Sequence, residues 1–309
     1  MIARRRLLAA VPAAALLAQA NVRSLAALAA PATPAATPVA GGYAHPDWLV
    51  APDWLQSRLH DTSLRVVALT PAADFAKGHV PGAAQIDWSA LNLADTSDPA
   101  IAKWERGIEA QLTHLGLAPD DAIVVYDGGT LYAPRLWWIL RQLDQRDVRI
   151  LNGGEPAWSA AGASVETGTS RAKPAAQPYR GSPDPSLLAT LAEVTAALGK
   201  ADVVLVDART PQEYAAGHIP GAVNVNFTRN ARANNPKTWL PAADLRAMYA
   251  AAGVTPDKRV IPYCSTGVRS ATTLFTLLLL GYPDVALYTG SWQEWSAHPD
   301  LPRDTGPKP

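Results

Sequence analysis

Cys264 is the only cysteine in this 309-residue chain, and the five residues after it are of the kinds a reactive sulfur needs. The run Cys264-Ser265-Thr266-Gly267-Val268-Arg269 follows a short apolar segment and precedes a stretch with helical periodicity. A loop of this length between a strand and a helix can turn several backbone N–H groups toward one centre. The helix N-terminus adds positive potential and Arg269 a full charge, and both favour thiolate over thiol. Gly267 permits a backbone conformation that a side chain would obstruct. Ser265 and Thr266 can donate hydroxyl hydrogen bonds. The commonest fate of a free cysteine is that of a small buried hydrophobe. A polar loop with a glycine and a terminal arginine points instead to a nucleophile in a cradle for a sulfur anion.

The elements that position this loop read as α/β. Residues 203–206 (VVLV) form a continuous apolar run, as in a strand buried on both faces of a parallel sheet. Residues 259–263 form a second strand. Pro262 cannot donate to a ladder, so this strand is expected to be short or irregular. Apolar residues at Val268, Ala271, Leu274, Phe275 and Leu278 predict a helix over 268–280, stopped by Gly281. In open sheets of this kind ligands bind outside the carboxyl ends of the strands, and Cys264 occupies that point.

The chain also repeats itself. Residues 71–82 (PAADFAKGHVPG) match 210–221 (TPQEYAAGHIPG) at an offset of 139. Residues 122–127 (AIVVYD) match 259–264 (RVIPYC), and 151–162 match 288–299, both at an offset of 137. Three blocks in the same order imply two copies of one domain. They are assigned to residues 46–162 and 186–301, with a linker at 163–185 that contains Pro, Gly and Ser. Pro134 opens the first copy's counterpart of the 268–280 helix. Alternating strands and helices imply, in each copy, a mainly parallel sheet with helices on both faces. The first copy has Asp127 where the second has Cys264. A carboxylate cannot carry sulfane sulfur and would repel a thiolate, so the first copy is expected to be non-catalytic.

These residues together resemble the tandem-domain rhodanese family, the thiosulfate and 3-mercaptopyruvate sulfurtransferases. The matching motifs are Val206-Asp-Ala-Arg209, residues 213–221, Tyr263-Cys264 with its loop, and Gly290-Ser-Trp-Gln-Glu-Trp295. In the first copy they are Tyr126-Asp127, Ala133-Pro-Arg-Leu-Trp-Trp138 and residues 151–154. The resemblance implies two tandem rhodanese-like domains. It also implies attack by the Cys264 thiolate on a sulfur donor, a persulfide on that cysteine, and transfer to cyanide or another thiol. It offers Arg209 and Arg180 as donor-binding candidates, though Arg209 could equally pair with Asp207 or Glu213. His79 and His218 recur in both copies, which argues for a turn role. Trp292 and Trp295 are candidates to line the pocket.

Other functions fit less well. Related domains use a Cys-to-Arg loop for phosphatase or arsenate reductase chemistry, but that pattern needs five intervening residues and this loop has four. A carrier that hands sulfur to a protein partner needs the same persulfide as an enzyme. Between donors, many bacterial relatives with arginine at the loop end resemble thiosulfate enzymes, so thiosulfate is expected over 3-mercaptopyruvate. No metal-ligand cluster, phosphate loop or cofactor motif is evident. Lys+Arg and Asp+Glu balance at 27 each, so no net field invites nucleic acid. The partners expected are a small sulfur donor and a thiol or cyanide acceptor, with the chain a monomer.

Residues 1–30 start basic (MIARRR), continue with an apolar run too short to span a bilayer, and contain small-residue cleavage patterns. They read as a Sec or twin-arginine signal peptide, followed by a flexible spacer at 31–45. The expectation is export to the periplasm, without stable membrane association once the signal is removed.

Overall fold

The computed structural model describes residues 41–170 and 172–307. The expected signal peptide and most of the spacer lie outside the described residues. In the first half the strands are β1 (Leu49–Val50), β2 (Leu64–Leu69), β3 (Ala84–Ile86), β4 (Ala122–Tyr126) and β5 (Val148–Leu151). They form one parallel sheet in the order β1-β5-β4-β2-β3. Its helices are α1 (Pro52–Gln56), α2 (Ala72–Phe75), α3 (Asp98–His114), α4 (Ala133–Gln142) and α5 (Gly154–Ala160).

The second half repeats the scheme. Its strands are β6 (Leu188–Ala189), β7 (Val203–Asp207), β8 (Val223–Asn224), β9 (Arg259–Tyr263) and β10 (Leu287–Tyr288). They pair as β8-β7-β9 and β10-β6, and a single parallel bridge, Val260 to Val285, links the two pieces. Its helices are α6 (Leu191–Ala197), α7 (Pro211–Ala216), α8 (Ala242–Ala251), α9 (Val268–Leu279) and α10 (Ser291–Ala297).

Side chains alternate across each sheet, as the strand period of two requires. In β2, Val67 and Leu69 enter a core shared between the halves, whereas Val66 and Ala68 face a separate cluster with Phe75 and Trp158. In the second half, Val204 and Val206 join the shared core, and Leu205, Ile261 and Tyr263 form the outer cluster with Tyr214 and Trp295. Helices α4 and α9 lie in the shared core. Trp137 of α4 meets Phe275 of α9 edge-on, with ring centroids 4.9 Å apart. Each large apolar side chain fully buried there is worth about 1.5–3 kcal/mol. The two halves are therefore held together by core, and a loop at this junction is fixed from both sides.

β9 is not shortened by its proline. All five residues pair in register with β7, from Val203–Arg259 to Asp207–Tyr263. Val260 directs its N–H to Asp284 O, on the side away from β7, and Pro262 has the same parity. In the first half the ladder on that side continues, Val125 of β4 pairing with Ile150 of β5, whereas its counterpart Pro262 pairs with nothing in β10 and one bridge at Val260 is left, so the irregularity expected of the proline falls on this side of the strand. Residues 163–185 do not hang free of the first half. Glu166 bridges His79, Ala175 N–H donates to Thr113 O, and Tyr179 is fully buried with its hydroxyl on Gln145.

Candidate active site

Cys264 stands at the carboxyl end of β9 and is fully buried. Its N–H donates to Ser291 Oγ at 3.1 Å. Its carbonyl accepts from Trp292 N–H and that of Ser265 from Gln293 N–H, both at 3.0 Å. The first turn of α10 thus holds the loop's carbonyls outward. Gly267, the residue before α9, has φ +83°, in the left-handed region. A Cβ there would stand 2.8 Å from both Thr289 O and Thr289 Oγ1, and 3.0 Å from an Arg135 Nη1 that reaches across from α4.

The first half's loop at the equivalent point holds an anion on a different backbone: its left-handed residues are Gly129 and Leu131 and its helix starts at Ala133, whereas here Gly267 is left-handed and α9 starts at Val268, two positions earlier by the offset of 137. Asp127 sits at the equivalent point, and its carboxylate accepts four backbone N–H bonds. Gly129 and Thr130 donate to Oδ1 at 2.7 and 2.9 Å, and Tyr132 and Ala133 to Oδ2 at 2.7 Å each. An offset of 137 carries those donors onto Thr266, Gly267, Arg269 and Ser270. Among the described residues no oxygen accepts from those four N–H groups. The second loop therefore leaves unbonded to oxygen the sequence counterparts of the donors that its twin spends on an anion.

Arg269 lies at this loop but is not committed to sulfur alone. Its two terminal nitrogens each reach Glu213 at 2.8 Å, and Nη2 also donates to Ser265 Oγ at 2.6 Å. The Arg269 guanidinium, with help from Thr210, holds the Glu213 carboxyl down at about 2. Glu213 in turn raises Arg269, and Cys264 adds a smaller push in the same direction. The Ser265 hydroxyl is thus part of this pair, whereas Thr266 Oγ1 has no partner among the described residues. Val268 is buried as the first residue of α9. The charge expected at the loop end is real, but a carboxylate shares it.

Both donor-binding candidates are paired with carboxylates. Arg209 is buried and paired with Asp207, Nε to Oδ1 at 3.0 Å and Nη2 to Oδ2 at 2.6 Å, and Nη2 also donates to Gly217 O. Its guanidinium lies 4.8 Å from the Trp292 ring centroid. This is the pairing with Asp207 that the sequence also allowed, and it offsets the cost of burying the guanidinium. Arg180 is 70% exposed, bonds Glu109 of α3 at 2.9 Å, and makes no bond to the Cys264 loop. Its neighbour Gly181 N–H binds the same carboxylate, so this stretch is tied to the first half's surface. His79 and His218 each place Nδ1 on a carbonyl four residues back, at 2.9 and 2.8 Å, in matching turns. Trp295 is core, its indole N–H on Pro302 O.

Two residues at the site carried a sequence signal without an assigned role. Glu213 belongs to the repeated block and also caps α7 in a capping box with Thr210. Arg135 belongs to the first half's Ala133–Trp138 motif, and only the crossing of α4 with α9 brings it to the opposite loop.

Comparison with known proteins agrees with this arrangement. A model of the rhodanese-like domain matches residues 51–161 and again 190–298. The chain is 36% identical over 263 residues to a thiosulfate sulfurtransferase of Pseudomonas aeruginosa, covering 82% of this chain and 96% of that protein. It is 36% identical over 281 residues to the sulfur carrier protein TtuD of Thermus thermophilus, covering 82% and 95%. It is 31% identical over 277 residues to the 3-mercaptopyruvate sulfurtransferase of Escherichia coli K12, covering 82% and 97%. Among solved structures, the anaerobic ergothioneine biosynthesis enzyme of Chlorobium limicola superposes with a TM-score of 0.78 at 25% identity, over 86% of this chain and 72% of that one.

Proposed function

This chain belongs to the rhodanese family, with two such domains in tandem, and on that footing we propose a sulfurtransferase that moves sulfane sulfur from thiosulfate to cyanide or a thiol through a persulfide on Cys264. The observation that carries this reading is the buried Cys264 at a strand-to-helix loop whose N–H groups at residues 266, 267, 269 and 270 bond no oxygen among the described residues, where their sequence counterparts in the first half hold the Asp127 carboxylate. Donors aimed at a point where negative charge resides stabilise a sulfur anion at no cost in reorganisation.

The chemistry balances. The Cys264 thiolate attacks the outer sulfur of thiosulfate, a sulfur–sulfur bond forms, and the donor's own sulfur–sulfur bond breaks with its electron pair leaving as sulfite. The terminal sulfur of the persulfide then carries the negative charge. Cyanide attacks that sulfur, thiocyanate leaves, and the thiolate returns. No second thiol exists in the chain to resolve the persulfide internally, so the acceptor is external. Arg269 and Thr266 at the loop are the groups on hand for the donor's oxygens.

A sulfur carrier is the second reading. It draws on the complete burial of Cys264 and on the similarity to a protein named as a carrier. Steady-state assays with thiosulfate and with 3-mercaptopyruvate, cyanide as acceptor in both, separate the readings. Higher kcat/KM with thiosulfate is expected. A reversed order would make mercaptopyruvate the donor, and one round of loading without turnover would make the protein a carrier. Export is part of the same proposal and rests on the basic, then apolar, sequence of residues 1–20. Fractionation of the producing cells tests it.

A further inference from the structure

Arg135 is a buried cation without a carboxylate. Its side chain is fully buried, with Nη1 on Thr289 Oγ1 at 2.8 Å and Nη2 on Leu91 O at 2.7 Å. Nε has no partner. The guanidinium lies 4.9 Å from the Trp138 ring centroid. No carboxylate among the described residues forms an ion pair with it, in contrast to Arg209 and Arg269. Removing a guanidinium from water costs several kcal/mol unless an anion answers it. The anion near it is sulfur, because Nη1 and Thr289 occupy the space a Gly267 side chain would fill, three residues past Cys264.

The charges at the loop lead to the same place. Glu213 is ionised and takes both terminal nitrogens of Arg269. Arg269 also faces Cys264, by charge and by a hydrogen bond, but it shares its charge with Glu213, so a thiolate or persulfide on Cys264 has only part of a counter-charge from its own half. Arg135 supplies one. Burial lowers its pKa to about 10, opposed by its charge interaction with Cys264, so it remains charged at neutral pH.

The duplication provides the control. At the offset of 137, Arg135 of α4 corresponds to Thr272 of α9, and each helix sends this side chain to the other half's loop. Thr272 Oγ1 donates to Leu131 O in the Asp127 loop at 2.5 Å. The loop with a built-in carboxylate receives a neutral hydroxyl, and the loop with a thiol receives a cation.

Resting on the reading of Cys264 as the sulfur carrier, we infer that Arg135 of the first half is the buried counter-ion of the Cys264 sulfur anion, a positioning residue supplied across the junction between the halves. The non-catalytic half is then a part of the active site's electrostatics as well as a wall. The other ionisable groups facing Cys264 are Arg269 of α9, Glu213 of α7 through Arg269, and Tyr132 of the first-half loop, whose pKa burial raises.

The test compares Arg135→Gln and Arg135→Lys with the wild type. Single-turnover loading from thiosulfate is followed by intact mass across pH, with thermal melting as the check on fold. Arg135→Gln is expected to load about tenfold or more slowly at neutral pH, with the acid limb of the profile moved up by about one unit. Arg135→Lys is expected to restore most of the rate at neutral pH and to lose it at alkaline pH, where a buried ammonium deprotonates. A folded Arg135→Gln protein with the wild-type rate and acid limb would overturn the inference, as would a Lys variant no better than Gln. If the Gln variant does not fold, the Lys variant decides alone, and an alkaline limb that superposes on the wild type counts against the charge. Thiolate ultraviolet absorbance against pH, with Cys264→Ser as blank, reads the same counter-ion without a sulfur donor. There the Gln variant should develop its signal at higher pH than the wild type, and coincident curves overturn the inference. Wild-type protein that fails to load sinks the sulfurtransferase reading and leaves the absorbance comparison standing.

Discussion

Asp127 and Cys264 occupy the same point in two copies of one scaffold, and both the loop that follows and the side chains around it differ. The first loop ends in Tyr132 and the second in Arg269. Thr70 takes the place of Arg209, and Glu155 that of Trp292. In the second half Arg209 and Trp292 stack and fill their site. In the first half, Thr70 and Glu155 line a cavity of about 280 Å³. Loop geometry is thus an anion holder by itself, since a carboxylate satisfies it completely in one copy. Reactivity requires in addition a nucleophile at the centre and cations around it, and only the second copy has both.

The most drastic way to break the comparison is to make the copies alike. Cys264→Asp is expected to abolish turnover, because a carboxylate cannot carry sulfane sulfur. The new carboxylate stands beside loop and helix-start N–H groups that bond no oxygen among the described residues, so the melting temperature should not fall. A large loss of stability would show that the second loop is not the anion cradle its twin is.

Next in size is Asp127→Asn. It replaces a charged acceptor of four N–H bonds with an amide whose nitrogen faces donors. Hydrogen bonds to charged groups contribute about 1.5–3 kcal/mol each, and a loss of about 3 kcal/mol in denaturant unfolding is expected. Activity of the folded protein should change little. A neutral effect on stability would separate the two loops physically.

Glu213→Gln is the finest probe. Glutamine can keep the capping box with Thr210, while the charge beside Arg269 is removed. Thiosulfate, an anion, should then bind more tightly, with KM roughly fivefold lower, the size of an ion-pair interaction of about 1 kcal/mol. An unchanged or higher KM would show that Arg269 does not meet the donor. The same carboxyl has its own pH signature. Its pKa is lowered from 4.5 to about 2 by Arg269. Its contribution to stability is therefore full above 4.5 and is lost as pH falls toward 2. The Gln variant should lack that part of the acid unfolding curve.

Much of this was legible in the sequence, for identifiable reasons. The repeat exposed the two domains, since three blocks keep their order and spacing. Cys264 and its loop stood out because one cysteine precedes a glycine and an arginine at the end of an apolar strand. Gly267 takes the left-handed conformation that its lack of a side chain permits. The partners of charge were not legible. Glu213 lies 56 residues before Arg269 and meets it only because β7 and β9 pair. Arg135 lies in the other half and is delivered by the crossing of α4 and α9. Arg209 read as a ligand because its strand ends at the site, yet Asp207 two residues earlier claims it. Pro262 read as an irregularity, and it is one on the β10 side alone, because the β7 side makes no use of its missing N–H.

The most direct test of the account is the intact mass of the protein after incubation with thiosulfate, before and after cyanide. The account predicts the addition of one sulfur atom, removed by cyanide and absent in Cys264→Ser. Sulfur retained by the serine variant, or more than one sulfur per chain in the wild type, would contradict the confinement of reactivity to one of the two loops.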